Sequence, residues 1–304
     1  MDPNLRLSIL ISVFGQADKL KKCLSCVEST LAGKINYEVL IIDDASEDST
    51  QDFLRSLSSE YLVFYNETRS GFAKNNNFLA KKAKGEYLCF LNSDAYVQGD
   101  WLFPMLDVFS RKKKVGMVGN VQRLSNSIIY DHFGVVFGPE GNPRHFGQGF
   151  LFNPFREKIR QWSAVTAACA MARRETFLSF EGFNEIFLNG CEDVELCIRM
   201  SRAGLCHYVA MESVIEHVKG ASVGRKRYNQ KNFDQLMNLW KESILGKESI
   251  QDQMLYSITY LYLVIFRPYK VNLSKLVNSF LTVLFLKRLK IPKKKISGTS
   301  VESY

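Results

Sequence analysis

The chain has 304 residues, 46% of them hydrophobic, which is enough apolar material for a packed core and excludes a disordered protein. Its formal charge of +9 is uneven: from residue 251 onward there are nine Lys or Arg against Asp252 and Glu302, so the other 250 residues carry only +2. A nucleic-acid-binding domain would carry its basic residues on the folded part. We therefore predict no nucleic-acid partner.

The cysteine content indicates a reducing compartment. Seven cysteines, an odd number in a long chain, are not typical of a disulfide framework. No signal-like basic segment or cleavage site precedes the first apolar run, Leu7 to Phe14, so we expect a cytoplasmic protein. Cys23 and Cys26 form a CxxC without a second pair at zinc-site spacing, and we expect them to pack one turn apart on a helix.

Short apolar runs alternate with longer amphipathic stretches over the first 120 residues. The runs predict strands at residues 7–13, 37–42, 62–65, 87–91 and 116–121, and the stretches predict helices at 19–31, 49–57, 72–82 and 101–110. Strict alternation requires crossover connections, which predicts an α/β fold with a mainly parallel, Rossmann-like sheet flanked by helices. Ligands of such sheets bind outside the carboxyl ends of the strands.

Polar side chains stand at three of these predicted strand ends, and they are Ser12, Asp43, Asp44, Asn92, Ser93 and Asp94. A carboxylate beside a cleft, such as Asp44, can accept hydrogen bonds from a base NH or from ribose hydroxyls. The alternative is that these residues only turn the chain. The same holds for Ser46 to Ser49, which can cap the next helix.

The predicted helix at 72–82 follows Gly71 and carries Lys74 and three consecutive asparagines. Its N-terminus could face a diphosphate, because free backbone NH groups and the helix dipole favour an anion. The P-loop sequence GxxxxGK[ST] is absent from the chain, and so is GxGxxG.

A second acidic cluster lies in "GCEDVELCIRMSRAG", which predicts a helix from about Glu192 that ends at Gly204. Glu195 and Arg199 are four residues apart and can pair on its surface. Asp193 would lie at the helix N-terminus, where a plain capping role is the alternative to a catalytic one. His217 follows an apolar strand-like run, and a lone histidine is more often structural. Trp162 and Phe183 could stack on a ligand, although core packing is the simpler interpretation.

The order of these segments resembles family 2 glycosyltransferases of the GT-A fold, and within them the rhamnosyltransferase-like branch. The matching segments span about residues 7 to 222 and are "SILISVFGQADKLKKCLSCVEST", "YEVLIIDDASEDST", "NETRSGFAKNNNFLAKKAKGEYLCFLNSDAYV", "FEGFNEIFLNGCEDVELCIRMSRAG" and "VIEHVKGAS". The resemblance implies an inverting sugar transferase that uses a nucleotide-sugar donor, UDP- or dTDP-linked, with Mg2+ or Mn2+. It also implies a glycan or lipid-linked acceptor and a role in cell-surface polysaccharide synthesis.

The resemblance also assigns roles to residues. The implied donor-binding positions are Ser12, Asp43, Asp44, Lys74, Asn77, Ser93 and Asp94. Asp94 matches the last acidic position of the family's DXD-like metal motif, and His217 matches a histidine that can complete the metal shell. Asp193 matches the catalytic base. The motif begins here with Asn92, an amide, so it supplies one negative charge fewer than the full pattern.

The resemblance divides the chain into a catalytic domain, 1–245, and a basic amphipathic helical tail, 246–304. Within the domain, residues 1–120 form the nucleotide-sugar half and 121–245 the acceptor and catalytic half. The tail holds apolar runs at 254–266 and 276–286, each too short to span a bilayer, with basic residues around them. Such a segment, 251–295, could lie on an anionic membrane surface, or pack on the catalytic domain or on a second subunit as a homodimer.

Two other functions remain open at this stage. A sugar nucleotidyltransferase also has a nucleotide-binding α/β sheet, but the chain lacks a glycine-rich, basic loop after its first strand. A catalytically silent relative would only bind a glycan or a partner. The processive synthases of the family carry a QxxRW motif and long transmembrane helices, and we find neither, so a single transfer per binding event is expected.

Overall fold

The computed structural model describes residues 6–218, 228–245, 249–266 and 273–284. The strands are β1 Leu7–Val13, β2 Tyr37–Asp43, β3 Tyr61–Tyr65, β4 Tyr87–Leu91, β5 Ala95–Val97, β6 Val115–Leu124, β7 Tyr130–His132, β8 Val135–Phe137, β9 Pro143–His145, β10 Ile159–Trp162, β11 Cys169–Arg173 and β12 Cys206–His217. The helices are α1 Ala17–Leu31, α2 Thr50–Arg55, α3 Phe72–Lys82, α4 Leu102–Arg111, α5 Arg174–Ser179, α6 Glu192–Arg202, α7 Asn229–Ile244, α8 Ser249–Phe266 and α9 Leu273–Val283.

The first half of the chain folds as its alternating pattern predicts. Strands β3, β2, β1 and β4 lie side by side in that order, and each neighbouring pair is parallel. The central strands are buried on both faces, which is why β1 and β4 are nearly continuous apolar runs. Alternate residues divide the core: Leu10 and Phe90 pack on one side of the sheet, Ile9 and Cys89 on the other.

The sheet continues beyond β4 with mixed pairing. Strand β11 lies antiparallel between β4 and β6, and β12 runs parallel to β6. Strands β10 and β5 both pair with β12, each antiparallel. Because β5 pairs with the end of β12, the chain just after β4 is brought beside His217.

A hairpin segment from β7 to β9 covers one end of the sheet. Strand β7 pairs with β6, and β8 pairs with β9. Gly134 lies here at φ +149°, and a Cβ on it would stand 2.1 Å from the Trp162 ring. Trp162 is therefore core, packed against Phe146 and Phe155, and Phe183 is also buried. Both aromatic residues are therefore core residues, which was the simpler interpretation of the sequence.

The first tail helix packs on this hairpin segment. The Asp252 carboxylate accepts a hydrogen bond from the Phe137 amide at 3.1 Å, and Tyr256 joins the core. The Tyr262 ring packs at a tilt against the Phe150 ring, and its hydroxyl accepts a hydrogen bond from the Leu151 amide at 3.0 Å. Helix α9 packs on α8. Thus α8 packs on the catalytic domain, which is one of the alternatives predicted for the tail. The basic stretch 287–295 lies outside the described residues.

None of the helices in the described ranges is long and apolar enough to cross a membrane.

Candidate active site

Three neighbouring parallel strands bring the predicted donor residues to one sheet edge. Strand β1 lies between β2 and β4, and Val13 at its end is in register with Asp43. The Asp44 amide donates to the Val13 carbonyl at 2.8 Å. Asn92 to Asp94 follow β4 directly. The strand-end argument therefore predicted correctly which polar residues share an edge.

Asp44 is tied to the beginning of α3. Its buried carboxylate accepts hydrogen bonds from the amides of Ser70 at 2.7 Å and Gly71 at 3.1 Å, and from the Asn66 side chain at 3.1 Å. The Arg69 Nε lies 3.8 Å away, and its guanidinium stacks 3.6 Å above the centre of the Phe14 ring. An anchored carboxylate beside a cation and an aromatic ring is suited to hold a nucleoside.

A line of amides connects Asp44 to Ser12. Asn66 donates to the Asn75 side-chain oxygen at 2.8 Å, and Asn75 donates to the Ser12 hydroxyl at 2.9 Å. Asp43 has a different role, because its fully buried carboxylate accepts hydrogen bonds from the hydroxyl and the amide of Ser46. Asp43 therefore shapes the turn after β2.

The other two predicted donor residues on α3 face different environments. Lys74 is exposed in the first turn of the helix, where a cation can reach an anionic ligand. Asn77 is buried: its amide nitrogen donates to the Phe183 carbonyl at 2.8 Å and to Glu185 at 2.9 Å, and its oxygen accepts from the Phe183 amide. These contacts give Asn77 a packing role, so we leave it out of the donor site.

Asp94 and His217 meet at the end of the sheet. Asp94 Oδ1 lies 3.2 Å from His217 Nε2, and both side chains are largely buried. His217 Nδ1 is also buried and has no hydrogen-bond partner among the residues that the structure describes. The Val218 amide donates to the Asp94 carbonyl at 3.0 Å, which holds the two segments together. Ser93 is half-buried beside them.

Asp94 and His217 are suited to bind a divalent cation whose other ligands come from a bound substrate. A carboxylate oxygen and a neutral imidazole nitrogen are accepted ligands, and Mg2+ sites often use one or two protein carboxylates with substrate phosphates. Within the described ranges no group of three His, Cys, Asp or Glu could hold a metal ion. The remaining ligands of any cation here would have to include diphosphate oxygens or water.

Asp193 lies at the first turn of α6, as predicted. Its Oδ2 accepts a hydrogen bond from the Ala167 amide at 2.9 Å, and its Oδ1 accepts from the Val194 amide at 2.8 Å. The adjacent residue Ala168 accepts a hydrogen bond from the Asn92 amide at 2.9 Å. Asp193 is thus connected through two neighbouring residues to the segment that carries Asp94, and its half-buried carboxylate can still meet a ligand.

The neighbouring charged pair is structural. Glu195 and Arg199 form the predicted ion pair at 2.8 Å. Arg199 also donates to the Phe180 and Gly182 carbonyls, and Trp240 donates to Glu195 at 3.2 Å. Helix α6 is therefore held from both sides.

The predicted cysteine pair and one further buried histidine have structural surroundings. Cys23 and Cys26 lie in α1 as free thiols, and burial raises the pKa of both. His207 accepts a hydrogen bond from the Met117 amide, and burial lowers its pKa to about 4, so it is a neutral structural residue.

Sequence reasoning missed several supporting residues around the site, namely Asn66, Arg69, Asn75, Asn189 and Asn232. The three consecutive asparagines were a visible signal for Asn75. Asn232 lies in α7, and its contact with the loop before α6 has no local sequence signature.

Comparison with solved structures defines the fold. The chain superimposes with a TM-score of 0.63 on GalNAc-T7 in complex with UDP, GalNAc and Mn2+, at 16% identity, covering 90% of this chain and 54% of that one. The mannosyltransferase PcManGT from Pyrobaculum calidifontis, in complex with GDP-Man and Mn2+, gives 0.57 at 14% identity, with 94% and 82% covered. The fold is GT-A, with a mostly parallel central sheet and a helical C-terminal part.

Sequence comparison defines the family. The profile of Glycosyl transferase family 2 matches residues 8–178, more than half of the chain, and the protein belongs to this family. The match includes Ser12 through Asp94, whereas Asp193 and His217 lie beyond it.

The proteins that this chain resembles in sequence include an O-antigen biosynthesis protein and a rhamnosyltransferase. The O-antigen biosynthesis protein RfbC of Myxococcus xanthus is 36% identical over 154 residues, 48% of this chain and 12% of RfbC. The rhamnosyltransferase WbbL of Escherichia coli is 26% identical over 219 residues, 66% of this chain and 79% of WbbL. The chain spans only part of the length of such relatives: 12% of RfbC, 26% of the uncharacterized protein y4gI of Sinorhizobium fredii and 33% of the glycosyltransferase AglE of Haloferax volcanii.

Proposed function

We propose that the protein is an inverting, non-processive glycosyltransferase that moves a sugar from a UDP- or dTDP-linked donor to a hydroxyl of a glycan or lipid-linked acceptor. One observation carries the proposal: Asp44, Asp94 and His217 stand at strand ends of one sheet, and contacts through Ala167, Ala168 and Asn92 join Asp193 to the segment that carries Asp94.

The donor half would bind the nucleotide. The carboxylate of Asp44, already anchored by the amides that begin α3, accepts hydrogen bonds from the nucleoside, and Ser12 lies on the same amide network. The exposed Lys74 offers a cation to the diphosphate, in addition to the dipole at the helix N-terminus.

Asp94 and His217 would hold Mg2+ or Mn2+ together with the diphosphate. A bound divalent cation neutralises charge that develops on the departing diphosphate oxygens. The protein's contribution is a preformed pair of ligands whose positions are set by the pairing of β5 with β12.

Asp193 would act as the general base. It accepts the proton of the acceptor hydroxyl as that oxygen forms a bond to the anomeric carbon, while the bond from this carbon to the diphosphate oxygen breaks. Displacement from the opposite face inverts the anomeric configuration. The nucleoside diphosphate leaves with the electron pair of the broken bond.

A donor screen tests this function. UDP- and dTDP-sugars are incubated with the full chain and Mn2+, and the released nucleotide is identified by chromatography. We expect UDP or dTDP. In a parallel incubation of UTP or dTTP with a sugar 1-phosphate, release of pyrophosphate would indicate a nucleotidyltransferase. Binding of UDP without turnover of any donor, with acceptor glycans present, would indicate a catalytically silent relative.

The tail supports a second proposal, that the protein docks on an anionic membrane where a lipid-linked acceptor would lie. Four large apolar residues of the last described helix and turn recur every three or four positions and are exposed: Leu273 (74%), Val277 (50%), Phe280 (54%) and Leu284 (46%). Residues 267–295 contain nine Lys or Arg and no Asp or Glu. An apolar face with flanking cations is typical of interfacial helices.

Vesicle sedimentation tests the docking proposal. The full chain should bind vesicles rich in phosphatidylglycerol and not phosphatidylcholine vesicles, and Val277→Ser with Phe280→Ser should abolish binding. The matched control is Ile128→Ser, which removes an apolar side chain that is 71% exposed on a different surface. If the double variant instead converts a dimer to a monomer and vesicle binding is absent, the exposed face is a subunit interface and the membrane proposal is wrong.

A further inference from the structure

The loop that precedes α6 has an unusual backbone. Asn189, Gly190 and Cys191 have φ angles of 52°, 157° and 72°, and two of these residues carry side chains. The left-handed region costs a residue with a side chain on the order of 1 kcal/mol or more. Contacts from elsewhere in the protein must therefore hold this loop, which delivers Asp193 to the sheet edge.

Asn232 of α7 supplies one such contact. Its side-chain nitrogen donates to the Leu188 carbonyl at 2.9 Å, and its side-chain oxygen accepts from the Leu188 amide at 3.2 Å. The side chain is 1% exposed. One asparagine thus pairs with both backbone groups of one loop residue, as a neighbouring strand would, and truncation of its side chain to Ala breaks both bonds.

The loop has a second anchor on the donor side. The Asn189 side-chain oxygen accepts a hydrogen bond at 3.0 Å from the amide of Phe72, the first residue of α3. The preceding amides, of Ser70 and Gly71, hold Asp44. The loop therefore lies between the proposed nucleotide site and α7.

We infer that Asn232 is a positioning residue for the transfer reaction: it fixes the loop 188–191, and through it the direction of the Asp193 carboxylate, without contacting the substrate. The inference rests on the proposed function, in which Asp193 is the base. A base must lie within hydrogen-bond distance of the acceptor hydroxyl, and a misplacement of about 1 Å can cost about 100-fold in rate.

Asn232→Ala and the matched control Asn229→Ala test the inference. Asn229 begins the same helix and is exposed. Hydrogen exchange of peptides covering 186–193 reports the loop directly, and titration with UDP and Mn2+ reports the nucleotide site. Sugar transfer at saturating donor is measured with the donor and acceptor that the wild type turns over.

For Asn232→Ala we expect exchange in 186–193 to be at least about 10-fold faster, transfer to fall about 10- to 100-fold, and UDP affinity to stay within about two-fold. Asn232→Asp should fall between Ala and the wild type, because it keeps an acceptor for the Leu188 amide but loses the donor to the carbonyl. Asn229→Ala should match the wild type.

Unchanged exchange or an unchanged transfer rate in Asn232→Ala would overturn the inference. So would a parallel loss of UDP affinity, transfer and exchange protection throughout the chain, since that describes general destabilisation. The proposed function fails separately, if the wild type turns over no nucleotide sugar or if Asp193→Asn transfers normally.

Discussion

The two sides of the candidate site are built in different ways. On the donor side, Asp44 follows β2 of a regular parallel sheet and is held by the amides just before α3, the helix that connects β3 to β4. On the catalytic side, Asp193 depends on a left-handed loop that α7 and α3 hold from opposite directions. Donor-side changes should therefore act mainly on nucleotide affinity, and changes on the catalytic side on the rate of transfer.

The largest effect after loss of the base is expected at Asp94. Asp94→Asn removes the only carboxylate of the proposed cation pair and keeps the side-chain size. Mn2+-dependent donor turnover should fall about 100-fold or more, because an amide binds a divalent cation weakly. A Mn2+ titration of nucleotide release measures it, with the exposed Asp100→Asn as control. Unaltered Mn2+ dependence would remove Asp94 from the cation site.

A smaller effect is expected at Asp44. In the wild type, backbone and side-chain amides donate to both oxygens of the Asp44 carboxylate, whereas Asp44→Asn keeps only one acceptor oxygen. The affinity for UDP should therefore fall about 10-fold, and the rate of transfer at saturating donor should change less. Isothermal titration with UDP and Mn2+ measures the affinity, and the exposed Asp52→Asn serves as control. A fall in transfer without a fall in affinity would contradict the division between the two sides.

Asn92 is an amide at a position where the family's metal-binding motif has a carboxylate. Asn92→Asp restores that negative charge and tests its effect. If the residue 92 side chain reaches the cation, the Mn2+ concentration for half-maximal turnover should decrease by several-fold, about 1 kcal/mol of added attraction. The same Mn2+ titration applies. An unchanged midpoint would mean that position 92 acts only through its backbone, which bonds to Ala168 and Ala95.

The smallest effect concerns the tail and appears in stability. Burial raises the pKa of Asp252 to about 6, so the folded state holds a proton that the unfolded state releases near pH 4. Stability should therefore fall as pH rises from about 4 to 6 and stay lower above that. At pH 8, the free energy of unfolding of Asp252→Asn should exceed that of the wild type by about 1–2 kcal/mol, so the variant unfolds at a higher urea concentration. Near pH 4 the two proteins should be equally stable.

Urea unfolding of the full chain at both pH values measures this difference, with the exposed Asp18→Asn as control. A variant less stable than the wild type at pH 8 would mean that the charged carboxylate is the better acceptor for the Phe137 amide.

The parts of the fold that depend on local hydrophobic pattern were predictable from the sequence. Strands β1 to β4 and the helix after Gly71 follow from apolar runs and alternation, and the shared edge of Ser12, Asp44 and Asp94 follows from parallel strand ends. The three asparagines show where this reasoning stops. Each points about 100° further round α3, so Asn75 meets Ser12, Asn76 bonds its own helix and Asn77 meets Phe183.

The catalytic side was less predictable for a physical reason. Strand β12 shifts register twice against β6, and β5 has only three residues, so neither gives a clear periodic signal. Asn232 pairs with Leu188 across 44 residues of chain, and a single polar residue on an amphipathic helix does not identify such a partner. Asp193 and His217 were predicted from the family resemblance, and the contacts that hold them join segments that are distant in the sequence.

The most direct test of the account is Asp193→Asn, measured for nucleotide binding and for sugar transfer in the same preparation. The amide keeps an acceptor for the Ala167 amide but cannot take a proton at neutral pH. We predict UDP affinity in the presence of Mn2+ within about two-fold of the wild type and transfer reduced by at least about 100-fold. Normal binding with transfer at the wild-type rate would show that Asp193 is not the base.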